Sequence, residues 1–163
     1  PFGGNGFSLQ TFQFYVSDPA ASSGTIDARM GVNATFEAPY QRRIVVDGFA
    51  QPAVESADGT TVSTDVSVTA FAALDAVLIE APKSALGGSL VGKRIAPLLC
   101  AQNGFATGGI RHVQATNGPY DIGGAANANA PNVMDLVTPD GVTNADALAY
   151  TSTEEATIPY VDL

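Results

Sequence analysis

Few residues in this chain are equipped for chemistry. It has one histidine, His112, and one cysteine, Cys100, in 163 residues. A Ser-His-acid triad would have to use His112, yet no serine sits in a Gly-x-Ser-x-Gly elbow. The neighbours of His112 read as a strand, so its expected role is structural. One His and one Cys cannot make the three protein ligands of a zinc site without carboxylates. Cys100 lies in the apolar run Ala96 to Ala101 and reads as a small buried hydrophobe. Being single, it forms no disulfide within the chain. Gly92-Lys93 is followed by Arg94, where a phosphate-binding loop needs Ser or Thr. No catalytic constellation stands on its own, and the chain is expected not to be an enzyme.

The carboxylates offer more. Asp18, Asp58, Asp121 and Asp140 fall in predicted turns, where side chains and carbonyls could gather the oxygen ligands of calcium. Asp121 and Asp135 are the candidate metal ligands, although no segment has EF-hand spacing. The competing role is an Asx turn, in which the carboxylate accepts from its own loop backbone, and for any one Asp this is the favoured reading. A sugar platform needs exposed aromatic rings. Tryptophan is absent, so Tyr40 and Tyr120, in or beside loops, are the candidate carbohydrate-binding residues. Asn33-Ala34-Thr35 is a glycosylation sequon, with Asn33 the acceptor if the chain is secreted.

These residues need a frame, and composition indicates its type. Hydrophobic residues make up 45%, a globular value, while charged residues are only 14%, about half the usual share. A helical bundle needs Lys and Glu on its exposed faces, and disorder needs more charge and fewer apolar residues. Neither fits. The length suits a single domain, residues 1–163, with a real core. The net charge is −9, from 16 acids against 7 bases. The bases form no stripe that could displace counterions from phosphates, so a nucleic-acid partner is not expected. No run of 18 apolar residues exists to span a membrane.

Short β-branched runs bounded by Asx-Gly or Pro recur along the chain. Phe7 to Val16 alternates as a strand with aromatics on both faces, which predicts cover on both sides. Thr25 to Ala38 reads as a loop with a short strand near Val32 to Phe36. Tyr40 to Phe49 and Ala76 to Lys83 are the two strongest strand segments. Asp58-Gly59 joins Val54 to Ala57 with Thr60 to Thr64, and Ala72 to Asp75 joins Val66 to Phe71 with Ala76 to Ala81. Pro82 to Gly88 reads as one helical turn closed by glycine. The strand in Ser89 to Ala101 is expected to break near Pro97. A turn over Gln102 to Gly109 precedes a strand from Ile110 to Thr116. Asn117 to Pro131 is a long Gly/Ala/Asn loop, whose length favours binding or assembly over plain connection. Thr143 and Asp146 have capping-box spacing. Asn132 to Val137 and Ala156 to Leu163 are the last apolar segments. The sum is an all-β, antiparallel sandwich of immunoglobulin-like or jelly-roll-like type.

Five short blocks give a more specific signal. They are Asn5-Gly6-Phe7-Ser8-Leu9-Gln10, Ile44-Val45-Val46-Asp47-Gly48, Pro82-Lys83-Ser84-Ala85-Leu86-Gly87, Pro131-Asn132-Val133-Met134-Asp135-Leu136 and Ala156-Thr157-Ile158-Pro159. In this order and spacing the chain resembles the C-terminal module of glucodextranase and related archaeal and bacterial amylolytic and cell-surface proteins. The resemblance implies an immunoglobulin-like or DOMON-like sandwich. It also implies a secreted, non-catalytic module at the cell surface that binds carbohydrate or anchors its protein to the envelope. Members usually carry an Asp- and Gly-rich stretch before the first block, so the domain is expected to lack its first strands. The loop at Gly123 to Asn127 lacks the acidic pair expected before Pro-Asn-Val, which counts against calcium there.

The expected partner is therefore a polysaccharide or cell-envelope glycan. No cofactor is required, with calcium as an optional ligand. The alternative is a structural subunit of an extracellular filament or surface layer, in which identical subunits exchange strands across unpaired edges.

Overall fold

The computed structural model describes residues 4–7, 9–29, 31–104 and 109–163. Ser8 of the first block and the middle of the expected 102–109 turn lie outside them. The strands are β1 (Gln10–Ser17), β2 (Thr25–Asp27), β3 (Ala34–Tyr40), β4 (Arg42–Asp47), β5 (Ala53–Ser56), β6 (Thr61–Ser63) and β7 (Ser67–Phe71), followed by β8 (Ala76–Glu80), β9 (Arg94–Ala101), β10 (His112–Gln114), β11 (Asp121–Gly123), β12 (Asp135–Leu136), β13 (Ala156–Ile158) and β14 (Val161–Asp162). A short α-helix, α1 (Asn144–Ala147), carries the expected capping box between Thr143 and Asp146.

The fold is a β-sandwich around one large sheet, ordered β12-β9-β1-β4-β5-β6, with β14 also on β9. β1 lies between β9 and β4 of the same chain. Its period-2 alternation sends Tyr15 into one core and Phe12, Phe14 and Val16 into another. The strand is thus covered on both faces, as its aromatics predict. It starts at Gln10 rather than Phe7, because Leu9 takes a left-handed backbone (φ 65°) that a strand cannot continue through.

On one face lies the small sheet β13-β3-β2. It packs Val32, Phe36, Tyr40 and Ile158 against Tyr15, Leu98 and Cys100 of the large sheet. Tyr15, Phe36 and Tyr40 form a cluster of rings with centroids 4.5–5.6 Å apart. Full burial of a side chain of this size contributes about 2–3 kcal/mol. On the other face lies the β7–β8 hairpin with the turns over 82–92, covering Val16, Ile44, Val46 and Val54. The helical turn expected at Pro82 to Gly88 is a run of tight turns, with Gly88 N–H bonded to the Lys83 carbonyl (2.8 Å). Gly87 and Gly88 take positive φ there.

Three expectations are corrected. Tyr40 belongs to β3, not to the start of the next strand. β9 runs unbroken through Pro97. The Pro97 carbonyl accepts from Val137 on the β12 side (3.2 Å), and the nitrogen of a strand residue faces the same way as its carbonyl. The missing N–H therefore falls between β14 and β12, and the β1 ladder loses nothing. Finally, β13 pairs with β3 in parallel, opposite the antiparallel β2, and β10 and β11 form a parallel two-stranded sheet of their own. Periodicity encodes which face a side chain takes, not the direction of the partner strand.

Candidate functional site

One cleft is a groove of about 760 Å³ between the β2–β3 turn, β10 and the loop before β12. Asparagines hold its walls together. Asn33 has a left-handed backbone (φ 57°), which Asn tolerates better than most residues, and its Nδ2 donates to the carbonyls of Ala128 (3.0 Å) and Ala130 (2.8 Å). Asn132 is buried; its Oδ1 accepts from Val113 N–H (2.6 Å) and its Nδ2 donates to the Gly31 carbonyl (2.8 Å). One loop is thereby tied to both the β2–β3 turn and β10. Asp27, Arg29, His112, Gln114, Asn127 and Glu155 then line the groove. Its walls mix polar, planar side chains of both charge signs with small apolar ones, and the polar groups can hydrogen-bond a hydroxyl-rich ligand.

Several candidates change role. Tyr40 is wholly buried, packed against Tyr15 and Phe36, and offers no ring face to a sugar. Burial raises its phenol pKa. The sequence placed it beside a loop because Pro39 and the sharp step into β4 imitate a chain break. Tyr120 is 54% exposed between β10 and β11. Asn33 Nδ2, the atom a glycan would occupy, is engaged in the loop contacts just described. A glycan on the folded protein would have to disturb them. His112, expected to be structural, is exposed on β10 and lines the groove. Cys100 is buried as expected, and burial pushes its thiol up to about 12.

The two candidate metal ligands fall on different sheets. Asp121, at the start of β11, accepts from Gln114 Nε2 (2.9 Å). Asp135, on β12, accepts from Asn144 Nδ2 and from Leu136 N–H (2.9 Å). Among the described residues no group of three or more His, Cys, Asp or Glu is placed to hold a metal ion. Asp18 and Asp58 form Asx turns, with Ala20 N–H (2.9 Å) and Thr60 N–H (2.9 Å) donating to their carboxylates. Among the described residues no helix is long and apolar enough to cross a membrane.

Sequence reasoning missed the groove because its residues come from four distant segments. The one available signal was the length of the Asn117 to Pro131 loop, whose Asn127, Ala128 and Ala130 now line it.

A β-sandwich with a polar groove walled by a loop and a strand edge has the form of a binding module. This chain belongs to the family of C-terminal, SLH-like binding modules of glucodextranase, whose sequence profile matches residues 1–161. The five blocks identified from the sequence lie within that match. The family is defined as a binding module rather than as a catalytic domain. No curated protein sequence matches the chain.

Proposed function

We propose that this module holds its parent protein at the cell surface by binding a carbohydrate or cell-envelope glycan in the groove between the β2–β3 turn and β10. The observation that carries the reading is the set of planar polar side chains around that groove, among them Asp27, Arg29, His112 and Glu155. Amides, carboxylates and imidazole can each bond a sugar hydroxyl that both donates and accepts. Among the described residues no Phe or Tyr lines the groove, so binding rests on hydrogen bonds more than on stacking. Family membership supports the same role.

The test is retention of the purified module on an insoluble α-glucan and on isolated cell-wall material. A His112→Ala/Gln114→Ala double substitution removes two exposed groups and leaves the loop contacts of Asn33 and Asn132 in place. It should weaken retention at least tenfold with an unchanged thermal melt. Equal retention by the variant and the parent would remove the groove from the reading.

A further inference from the structure

We infer that a second cleft, lined by β4 and β5 beside β1, is a separate binding site for one neutral polyhydroxyl unit, such as the end residue of a glycan. The cleft encloses about 390 Å³, and its lining includes Arg29, Arg43, Val45, Asp47, Glu55 and Thr64. Two β1 residues lie next to this lining, buried behind it. Thr11 lies opposite Asp47, and Gln13 opposite Val45, so both belong to the same face of the sheet.

This face of the sheet carries unusual polar groups. Thr11 and Gln13 are fully buried and Arg43 is 7% exposed. Gln13 Oε1 accepts from Tyr15 Oη (2.6 Å) and from Arg43 Nη1 (2.9 Å), which fixes the amide orientation and turns Nε2 away as a donor. Arg43 Nη2 also pairs with Glu55 Oε2 at 2.5 Å. Yet Gln13 Nε2, Thr11 Oγ1 and Arg43 Nε have no hydrogen-bond partner among the described residues. The Tyr40 hydroxyl, also without one, feels the charges of Arg43 and Arg29. Buried polar groups are nearly always satisfied, and leaving one without a partner costs about 1–3 kcal/mol. Several on one sheet face, beside a cleft, point to a partner that enters from that cleft.

The chemistry of the partner follows from the charges. Arg29 and Arg43 are balanced by Asp47 and Glu55. An anion would meet the two carboxylates, and a cation the two guanidinium groups. A neutral hydroxyl can accept from the Gln13 amide and the Arg43 guanidinium, and can exchange either role with the Thr11 hydroxyl. Arg29 lines both this cleft and the larger groove. An oligosaccharide in the groove can therefore present its end here. Only the choice of a sugar rests on the proposed function; the site itself rests on the partnerless groups.

The test is an amide NMR titration of the whole chain with glucose, with glycerol and with a linear α-glucan oligosaccharide, alongside thermal melts. Glucose should shift the amides of Thr11, Gln13 and Val45. Thr11→Val keeps the side-chain shape and deletes the partnerless hydroxyl. It should weaken the glucose response of these amides at least tenfold. Tighter binding of glucose than glycerol assigns the site to a sugar unit, and equal binding assigns it to small polyols; both uphold it. Absence of these shifts at saturating glucose overturns it, as does a Thr11→Val variant that melts higher with its glucose response intact, since the groups would then serve ordered water only. Glucose shifts without oligosaccharide binding would remove the groove reading and leave this one standing.

Discussion

Asp58 shows how single residues set the response to acid. Ser56 Oγ donates to its Oδ1 (2.6 Å) and Thr60 N–H donates to the same atom (2.9 Å). These bonds favour the ionised form and hold the carboxyl at about 2, below its ordinary value of 3.8. A group depressed in this way stabilises the fold above its unfolded value, and that contribution is lost as pH falls through the folded value. Asp146 is shifted in the same direction by the Thr143 hydroxyl and backbone. Asp58→Asn retains an acceptor and should therefore cost little at neutral pH. It should also flatten the fall of melting temperature between about pH 4 and pH 2. If the parent and variant curves stay parallel, the turn carboxylate does not carry that dependence. This turn was legible in the sequence because Asp58-Gly59 encodes it locally. The Arg43–Glu55 pair was not legible, since it exists only through the register of β4 against β5.

Elements differ in the same way. The antiparallel hairpins β5–β6 and β7–β8 were readable to within about a residue or two, because turn residues and alternation are short-range signals. β4 was readable as the centre of the fold, but which of its faces was apolar was not. Val46 is fully buried against β5 and the hairpin, whereas Val45 is half-buried on the floor of the smaller cleft. Val46→Asp should abolish the cooperative melt by placing an unpaired charge in an apolar layer. Val45→Asp, beside Arg43 and at a cleft, should still fold. A folded Val46→Asp protein would mean that the second core is not the sheet's main support. The groove and its loop stayed hidden for a related reason, since Asn33 and Asn132 act through contacts about 100 residues away in the chain.

At the scale of the whole molecule, the first core is completed by its far end. Ala156 and Ile158 of β13, with Tyr160, are buried against β3 and the large sheet. Tyr160 Oη donates to the Ala38 carbonyl (3.1 Å), and the Arg94 guanidinium lies 5.2 Å from the centre of its ring. Removing residues 156–163 should expose Phe36 and Tyr40. The shortened chain should lose its cooperative melt and bind a hydrophobic dye. A sharp melt with no dye binding would show that β3 can be covered in another way.

The parallel contact of β13 with β3 also governs timing. Thr35 and Thr157 meet across 122 positions of sequence, and bringing such distant segments together is slow because loop closure precedes its reward. The hairpins can zip as soon as they are made, but the aromatic layer has to wait for residues 156–160. Until these emerge the chain remains unsealed and can still be threaded through a narrow passage.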